Sequence, residues 1–236
     1  NIPKNFINAI LAAEDKDFYN HKGFSFYRIL KAFYTNLISG RIVQGASTIT
    51  QQTAKNIFNK YFNRKERNYF VKIKELIDAL CLEAYYSKDK ILEFYANQFH
   101  VSGNGRGLGI AAQYFFSKNA KDLTLLEAAF IAGSVKAPFN YTPFEQKKEK
   151  DKIKITKRAF DRKNYVISRM YKLKMIEEKE YQEFIKQEIP FKPGKFRYDF
   201  NVIMDLLKET LNSEKYKELL SKNNIDNIST SGIKII

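Results

Sequence analysis

The feature that most constrains the fold is a helical stripe in the first twenty residues. Pro3 suits the first turn of a helix, and Phe6, Ile10, Ala13 and Asp17 then recur at three- or four-residue spacing. Glu14 lies four residues after Ile10 and four before Phe18, so on a helix it shares a face with both apolar neighbours. A carboxylate thus stands where a core residue belongs. Apolar surroundings disfavour the charged form of such a group, which is how a general acid or base is tuned. The alternative is a Glu at the edge of the stripe with its head in solvent, and this stretch alone does not choose.

Helical periods continue along the chain and predict an all-α fold. Ser25 reads as the N-cap of a second helix running to about Ile38, closed by Gly40. Thr48 and Gln51 form a capping box at the start of a third. A helix N-terminus favours a phosphate or pyrophosphate oxygen, with Gln51 and Gln52 as donors and Lys55 one turn on as a counter-charge. An ordinary capped helix with surface glutamines would look the same. In Lys72–Tyr86, Ile73, Leu76, Ile77, Leu80 and Ala84 make an apolar stripe, while Ala79 and Leu82 lie opposite, so burial on more than one face is expected. Glu75 is on that second face with Lys72 three residues behind, either a structural ion pair or a second functional carboxylate.

Ser87 caps a helix over Lys88–Asn97, and a glycine-rich connection then enters a helix over Ile110–Phe116. No strand precedes those glycines, which argues against a nucleotide loop. Thr124 and Glu127 form another capping box, opening Leu125–Gly133. From Glu145 to Leu173 the helical surface is dominated by lysine and reads as a solvated face. Another helix is predicted over about Glu178–Gln187, broken by Pro190. Beyond it Phe196–Tyr198 reads as extended, Phe200–Leu211 as a helix and Ser229–Ile236 as the beginning of a strand. This ending, and an opening at Asn1-Ile2-Pro3 without methionine, point to a fragment whose targeting segment has been removed and which a further domain follows.

Charge narrows the partners. Lys+Arg of 41 against Asp+Glu of 26 gives +15, which suits nucleic acid, an anionic membrane surface or a phosphorylated substrate. Between Asn56 and Phe70, aromatic residues interleave with Lys60, Arg64, Lys65 and Arg67, a pattern for a single-stranded nucleic acid or a bilayer interface. No apolar run reaches 18 residues. Cys81, within Ala79-Leu80-Cys81-Leu82, reads as a small buried hydrophobe. Two distant histidines and one cysteine supply no transition-metal ligand set, and no nucleophile elbow is present. What remains is two carboxylates, an anion-ready helix start and several lysines, a set suited to transfer chemistry on a phosphorylated substrate.

In order along the chain come Glu14-Asp15 with Phe18, His21 and Gly23; Gly45-x-Ser47-Thr48-Ile49-Thr50-Gln51-Gln52; Lys72-x-x-Glu75; Lys88-x-x-Ile91-Leu92-Glu93-x-Tyr95-x-Asn97; and Ala111-Ala112-x-Tyr114-Phe115. Together they resemble the five motifs of the peptidoglycan glycosyltransferases, the glycan-polymerising domains of bifunctional penicillin-binding proteins and monofunctional transglycosylases. The match runs from about Pro3 to Pro143 and continues more weakly. The resemblance implies an all-α, lysozyme-like helical head with a smaller membrane-facing jaw. On this reading the domain covers 1–190, with the jaw at roughly 40–72, and 191–236 is a tail leading towards a following domain.

The resemblance further implies that Glu14 is the general base on the acceptor (lipid II) 4-hydroxyl. The growing glycan-lipid donor would then lose undecaprenyl pyrophosphate with inversion to a β-1,4 link. Glu75 would assist at the pyrophosphate, directly or through a divalent cation (Mg or Mn), although no cofactor is required outright. Asp15, Ser47, Thr48, Gln51, Gln52, Lys55, Lys72, Glu93 and Asn97 would line the substrate site. The implied setting is the extracytoplasmic face of the cytoplasmic membrane, its anionic surface a partner, with a covalently linked transpeptidase domain and cell-wall synthesis proteins as further partners and no role for nucleic acid.

The chain departs from the family pattern at Ala46 and Ser117, where glycines are common, and at Val71, where an arginine usually precedes the lysine of the third motif. Arg67, about a turn earlier, is the candidate to compensate. The segment between Lys55 and Lys72 is also longer than usual. Two rival readings stand beside this one. A lysozyme-like hydrolase or lytic transglycosylase would use a protonated Glu14 on finished glycan. A non-catalytic basic module would simply bind the membrane or nucleic acid.

Overall fold

A computed structural model of the chain describes residues 2–41, 45–58, 69–101 and 105–194, together with Lys222. Among them nine α-helices follow one another and no strand forms: α1 (Lys4–Glu14), α2 (Phe26–Ser39), α3 (Ile49–Phe58), α4 (Tyr69–Tyr85), α5 (Lys88–Gln98), α6 (Leu108–Phe116), α7 (Leu125–Ser134), α8 (Glu149–Lys172) and α9 (Glu178–Phe184). The chain divides into two compact units, Asn1–Gly194 and Lys195–Ile236. The elements expected over 196–198, 200–211 and 229–236 lie outside the described residues, as does Arg67.

The expected all-α architecture is what forms. α7 is its centre, with every residue from Leu126 to Ser134 buried. Its run of Ala128, Ala129, Ala132 and Gly133 is small enough for α1 and α8 to pack closely on it. Phe6 and Ile10 of α1, and Val166, Ile167 and Met170 of α8, are fully buried, each contributing about 1.5–3 kcal/mol by leaving water. The lysine-rich helix is therefore solvated on one side only, and its other side is core.

α1 stops earlier than the stripe predicts. It ends at Glu14; Asp15 leaves helical geometry (φ −157°), and Phe18 reaches the core from a short 3-10 turn, Phe18–Asn20. Glu14 is thus the last residue of a helix and does not share one with Phe18. The cause is Asp15, whose carboxylate turns away to accept the backbone N–H of Ile49 at 3.0 Å.

Several predicted boundaries hold. Ser25 caps α2 through the Arg28 amide and Gly40 closes it in the left-handed region (φ 59°); Ser87 caps α5 through the Lys90 amide; Thr124 and Glu127 form the reciprocal box at α7. Ser117 ends α6 at φ 52°, a conformation that glycine adopts at less cost. At Gly107 (φ 86°) a Cβ would stand 2.7 Å from the Asn97 carbonyl oxygen, so α5 and α6 meet there backbone to backbone.

Two expectations are overturned at α4. Its more apolar stripe is the outer one: Ile73, Ile77 and Leu80 are exposed, whereas Glu75, Ala79 and Leu82 are buried. Close approach decides this. Ala79 is small, and its backbone comes so near Gly23 that a Cβ there would sit 3.2 Å away, which bulkier Ile or Leu would prevent. Cys81 is exposed rather than buried, because it belongs to the outer side.

α2 presents a second apolar surface. Phe26, Tyr27, Phe33, Tyr34, Leu37 and Ile38 are each 65–68% exposed, on one side of the helix by their spacing. It precedes the 40–72 stretch expected for the jaw, of which 42–44 and 59–68 lie outside the described residues. Among the described residues no helix is long and apolar enough to cross a membrane. After α9, Phe191 inserts among Phe115, Phe116, Phe130 and Phe144, and the amides of Lys192 and Gly194 donate to the Phe115 and Tyr114 carbonyls.

Candidate active site

Glu14 ends α1 with its side chain only 16% exposed. Its Oε2 accepts from Gln52 Nε2 at 3.0 Å, and its Oε1 lies 3.8 Å from Arg162 Nη2 on α8. The two carboxylate oxygens therefore face different elements, α3 on one side and α8 on the other. Tyr95 fixes which end of the Gln52 amide meets Glu14: its hydroxyl approaches Gln52 Oε1 at 3.5 Å, so the NH2 points to the carboxylate. Burial, reinforced by the negative charges of Glu14 and Asp15, pushes the Tyr95 phenol well up, and it stays a donor at any physiological pH.

Asp15 holds the first turn of α3 against the end of α1. Its fully buried carboxylate receives the Ile49 amide, His21 Nε2 at 3.0 Å and the Arg28 guanidinium. Burial alone would raise its pKa; the His21 hydrogen bond, the Arg28 charge and the Ile49 amide outweigh that and hold it below the usual carboxylate value. The capping box predicted at Thr48 and Gln51 is present, with Gln51 Oε1 accepting from the Thr48 amide at 2.9 Å and the Gln51 amide donating to Thr48 Oγ1 at 3.1 Å. The carbonyl end of Gln51 is thus spent on the helix start.

Arg28 links the two halves of the site. Besides Asp15 it donates to the Glu14 carbonyl at 2.7 Å and to the Ser47 carbonyl at 3.2 Å. Ser47 Oγ is in turn 3.5 Å from Lys72 Nζ, which also pairs with the buried Glu75. A continuous chain of polar contacts therefore runs from Glu14 through Arg28 and Ser47 to Lys72 and Glu75. Lys55 is exposed on α3, one turn beyond Gln51. The geometry brings Glu14, Asp15, Ser47, Thr48, Gln51, Gln52, Lys72 and Glu75 together. It does not bring in Glu93, which is half exposed and paired with Lys90 at 3.0 Å, nor Asn97, which is exposed beside Gly107.

Among the described residues no three Asp, Glu, His or Cys side chains converge on a metal position. A magnesium ion held chiefly by substrate phosphates needs only one or two carboxylates, and Glu75 is the residue that would provide one.

Arg28 and Arg162 escaped sequence reasoning. Arg28 left a trace, a lone guanidinium within a strongly aromatic helix. Arg162 left none, because it sits among the lysines of α8 and only the packing of α8 on α7 delivers it. Gly133 makes the space: a Cβ there would lie 3.1 Å from Arg162 Cγ, and the Gly133 carbonyl accepts from Arg162 Nε at 2.7 Å.

With that geometry established, comparison with known proteins decides the family. The family model for transglycosylases matches residues 1–171. The chain belongs to the transglycosylase family. The resemblance carried by its motifs is borne out. This transglycosylase is 39% identical over 188 residues to penicillin-binding protein 1A of Pseudomonas aeruginosa, covering 80% of the chain and 21% of that protein. It is 36% identical over 222 residues to penicillin-binding protein 1A of Aquifex aeolicus, covering 94% and 28%. The transglycosylase chain thus spans about a quarter of the length of these relatives. A crystal structure of penicillin-binding protein 1A from Haemophilus influenzae aligns at 31% identity and a TM-score of 0.42, over 56% of this chain and 20% of that one; the superposition is too partial to speak for the fold, which rests on the helices themselves.

Proposed function

We propose that this chain is a peptidoglycan glycosyltransferase that polymerises lipid II into β-1,4 glycan, with Glu14 as general base. The observation that carries this reading is the placement of Glu14: an almost enclosed carboxylate, one oxygen held by Gln52, on a residue whose backbone carbonyl is tied through Arg28 to Ser47 and so to Lys72 and Glu75. The Glu14 carboxylate takes the proton of the acceptor 4-hydroxyl. That oxygen attacks the anomeric carbon of the donor from the face opposite the leaving group. The bond from this carbon to the pyrophosphate oxygen breaks, and undecaprenyl pyrophosphate departs with the electron pair. Negative charge develops on the pyrophosphate, and Lys72 and Lys55 stabilise it. Gln52 keeps the base aimed and Asp15 keeps α3 in place. Lys72 is 62% exposed on its side chain, so it can turn from Glu75 to a phosphate.

α2 supports a membrane setting for the same reaction. Six large apolar side chains on its exposed side would enter the interface of an anionic bilayer, to which a charge of +15 is attracted. The proposed site of action is the extracytoplasmic face of the cytoplasmic membrane, with a transpeptidase domain of the same polypeptide as neighbour. The test is to supply lipid II in detergent and, separately, purified cell-wall glycan. Polymer from lipid II, lost in Glu14→Gln with vesicle binding kept, is the expected result. Shortened glycan without any polymer would replace this reading with the hydrolase.

A further inference from the structure

Three residues that the proposed chemistry does not use close a ring of polar contacts around the start of α3. Thr50, buried in the first turn of α3, donates its hydroxyl to Glu83 Oε1 on α4 at 2.6 Å. The same carboxylate oxygen accepts from Nζ of Lys88, the first residue of α5, at 2.7 Å. Lys88 also donates to the His21 carbonyl and lies 4.5 Å over the Phe18 ring. His21 returns through its Nε2 to Asp15, which holds the amide of Ile49, the residue before Thr50. The Glu83 and Lys88 side chains are only 9% and 19% exposed, so water competes little for these bonds. The Lys88 ammonium is spent on a carboxylate, a carbonyl and a ring, all within the fold.

This ring grips α3 from the side away from Glu14. Successive helical residues turn by about 100°, so Thr50 and Gln52 leave α3 in nearly opposite directions, one to Glu83 on α4 and the other to Glu14 on α1. Ile49 and Gln52, three apart, share the side that meets α1. Any rotation of α3 about its axis would swing the Gln52 amide past the carboxylate. Two anchors on adjacent residues oppose it, Asp15 at Ile49 and Glu83 at Thr50. We propose that Thr50, Glu83 and Lys88 are positioning residues for the transfer: they set the rotation of α3 and thereby keep the Gln52 NH2 on Glu14. The inference rests on the glycosyltransferase reading and adds to it a lever on the proposed base from the junction of α4 and α5.

The test is Thr50→Val, which removes the hydroxyl at nearly constant shape and leaves Glu83 paired with Lys88, so that no buried charge is orphaned. It should lower kcat for lipid II polymerisation about tenfold or more with KM changed less than about twofold, and Thr50→Ser should restore the rate. Glu83→Gln is the second variant: it weakens the Lys88 end of the ring and should show the same loss in smaller measure. Added to Gln52→Ala, Thr50→Val should cost less than about twofold more, because the amide through which it acts is gone; a merely loosened fold would multiply the two losses. By nuclear magnetic resonance the Gln52 NH2 protons should exchange with solvent about tenfold faster in Thr50→Val than in wild type or Thr50→Ser. A wild-type rate in Thr50→Val, or losses that multiply with those of Gln52→Ala, in a protein that polymerises lipid II, overturns the positioning role alone. A wild type that makes no polymer overturns the glycosyltransferase reading, and the exchange of the Gln52 NH2 then decides the ring: faster exchange in Thr50→Val upholds it, and equal exchange overturns it.

Discussion

Arg28→Met is the perturbation whose outcome depends most on the architecture of the site. The guanidinium is a partner of the buried Asp15 and donates to the carbonyls of Glu14 and Ser47. Removing one member of a buried ion pair costs about 3–5 kcal/mol. Arg28 keeps 18% side-chain exposure, and His21 and the Ile49 amide still serve Asp15, so the low end, about 3 kcal/mol, is expected. For a unit of this size that corresponds to a drop in melting temperature of about 6–12 °C. The same change frees Ser47 from the end of α1, and loss of registration between the proposed base, Glu14, and the proposed pyrophosphate site at Ser47 and Lys72 should slow lipid II polymerisation about tenfold or more.

The acid limb gives a sign. Asp15 is held below its ordinary pKa, so its stabilisation is complete above about pH 4 and is lost as pH falls through the folded value. Without Arg28 the folded value moves back towards the unfolded one, and the stability gap between wild type and variant should narrow below about pH 4. Circular dichroism melts from pH 7 downward measure this. A variant that melts within about 2 °C of wild type at pH 7 and polymerises at the wild-type rate would refute the bridging role.

Two further outcomes follow from other parts of the molecule. The double variant Phe33→Glu/Leu37→Glu, on the exposed side of α2, should partition onto phosphatidylglycerol vesicles about a hundredfold more weakly; equal sedimentation with vesicles would remove α2 from the membrane contact. Lys163, fully buried, donates to the Phe184 and Gln187 carbonyls at 2.6 Å, and burial lowers its pKa to about 8. The unfolded chain therefore binds this proton more tightly than the folded one, and wild-type stability should rise between about pH 8 and pH 10.5, by up to about 1 kcal/mol per pH unit, relative to Lys163→Met; parallel denaturation profiles for the two proteins across that window would contradict it.

Much of this molecule is legible in one dimension because its signals are local. Caps at Ser25, Thr48, Ser87 and Thr124 depend on residues three apart, and a helix obeys them wherever it lies. Glu14, Gln52, Lys72 and Glu75 could be named from ordered motifs, since chemistry demands particular side chains at particular spacings. What spacing cannot tell is which side of a helix meets its neighbour. The apolar stripe of α4 pointed to Ile73 and Ile77, yet the face with Ala79 packs because Gly23 approaches its backbone there.

The sequence by itself determined an all-helical chain and its family, and it singled out Glu14 and Glu75, the two carboxylates on which the proposed function rests. Tertiary structure alone decided that α1 ends on Glu14 because Asp15 reaches the α3 amide, that Gln52 presents its NH2 to the Glu14 carboxylate, and that Arg28 and Arg162 approach Glu14 from α2 and α8. The division has one physical cause. Propensity and capping are set within about one helical turn, whereas the position of a charge relative to a buried carboxylate is set by packing between segments more than a hundred residues apart, here Glu14 and Arg162.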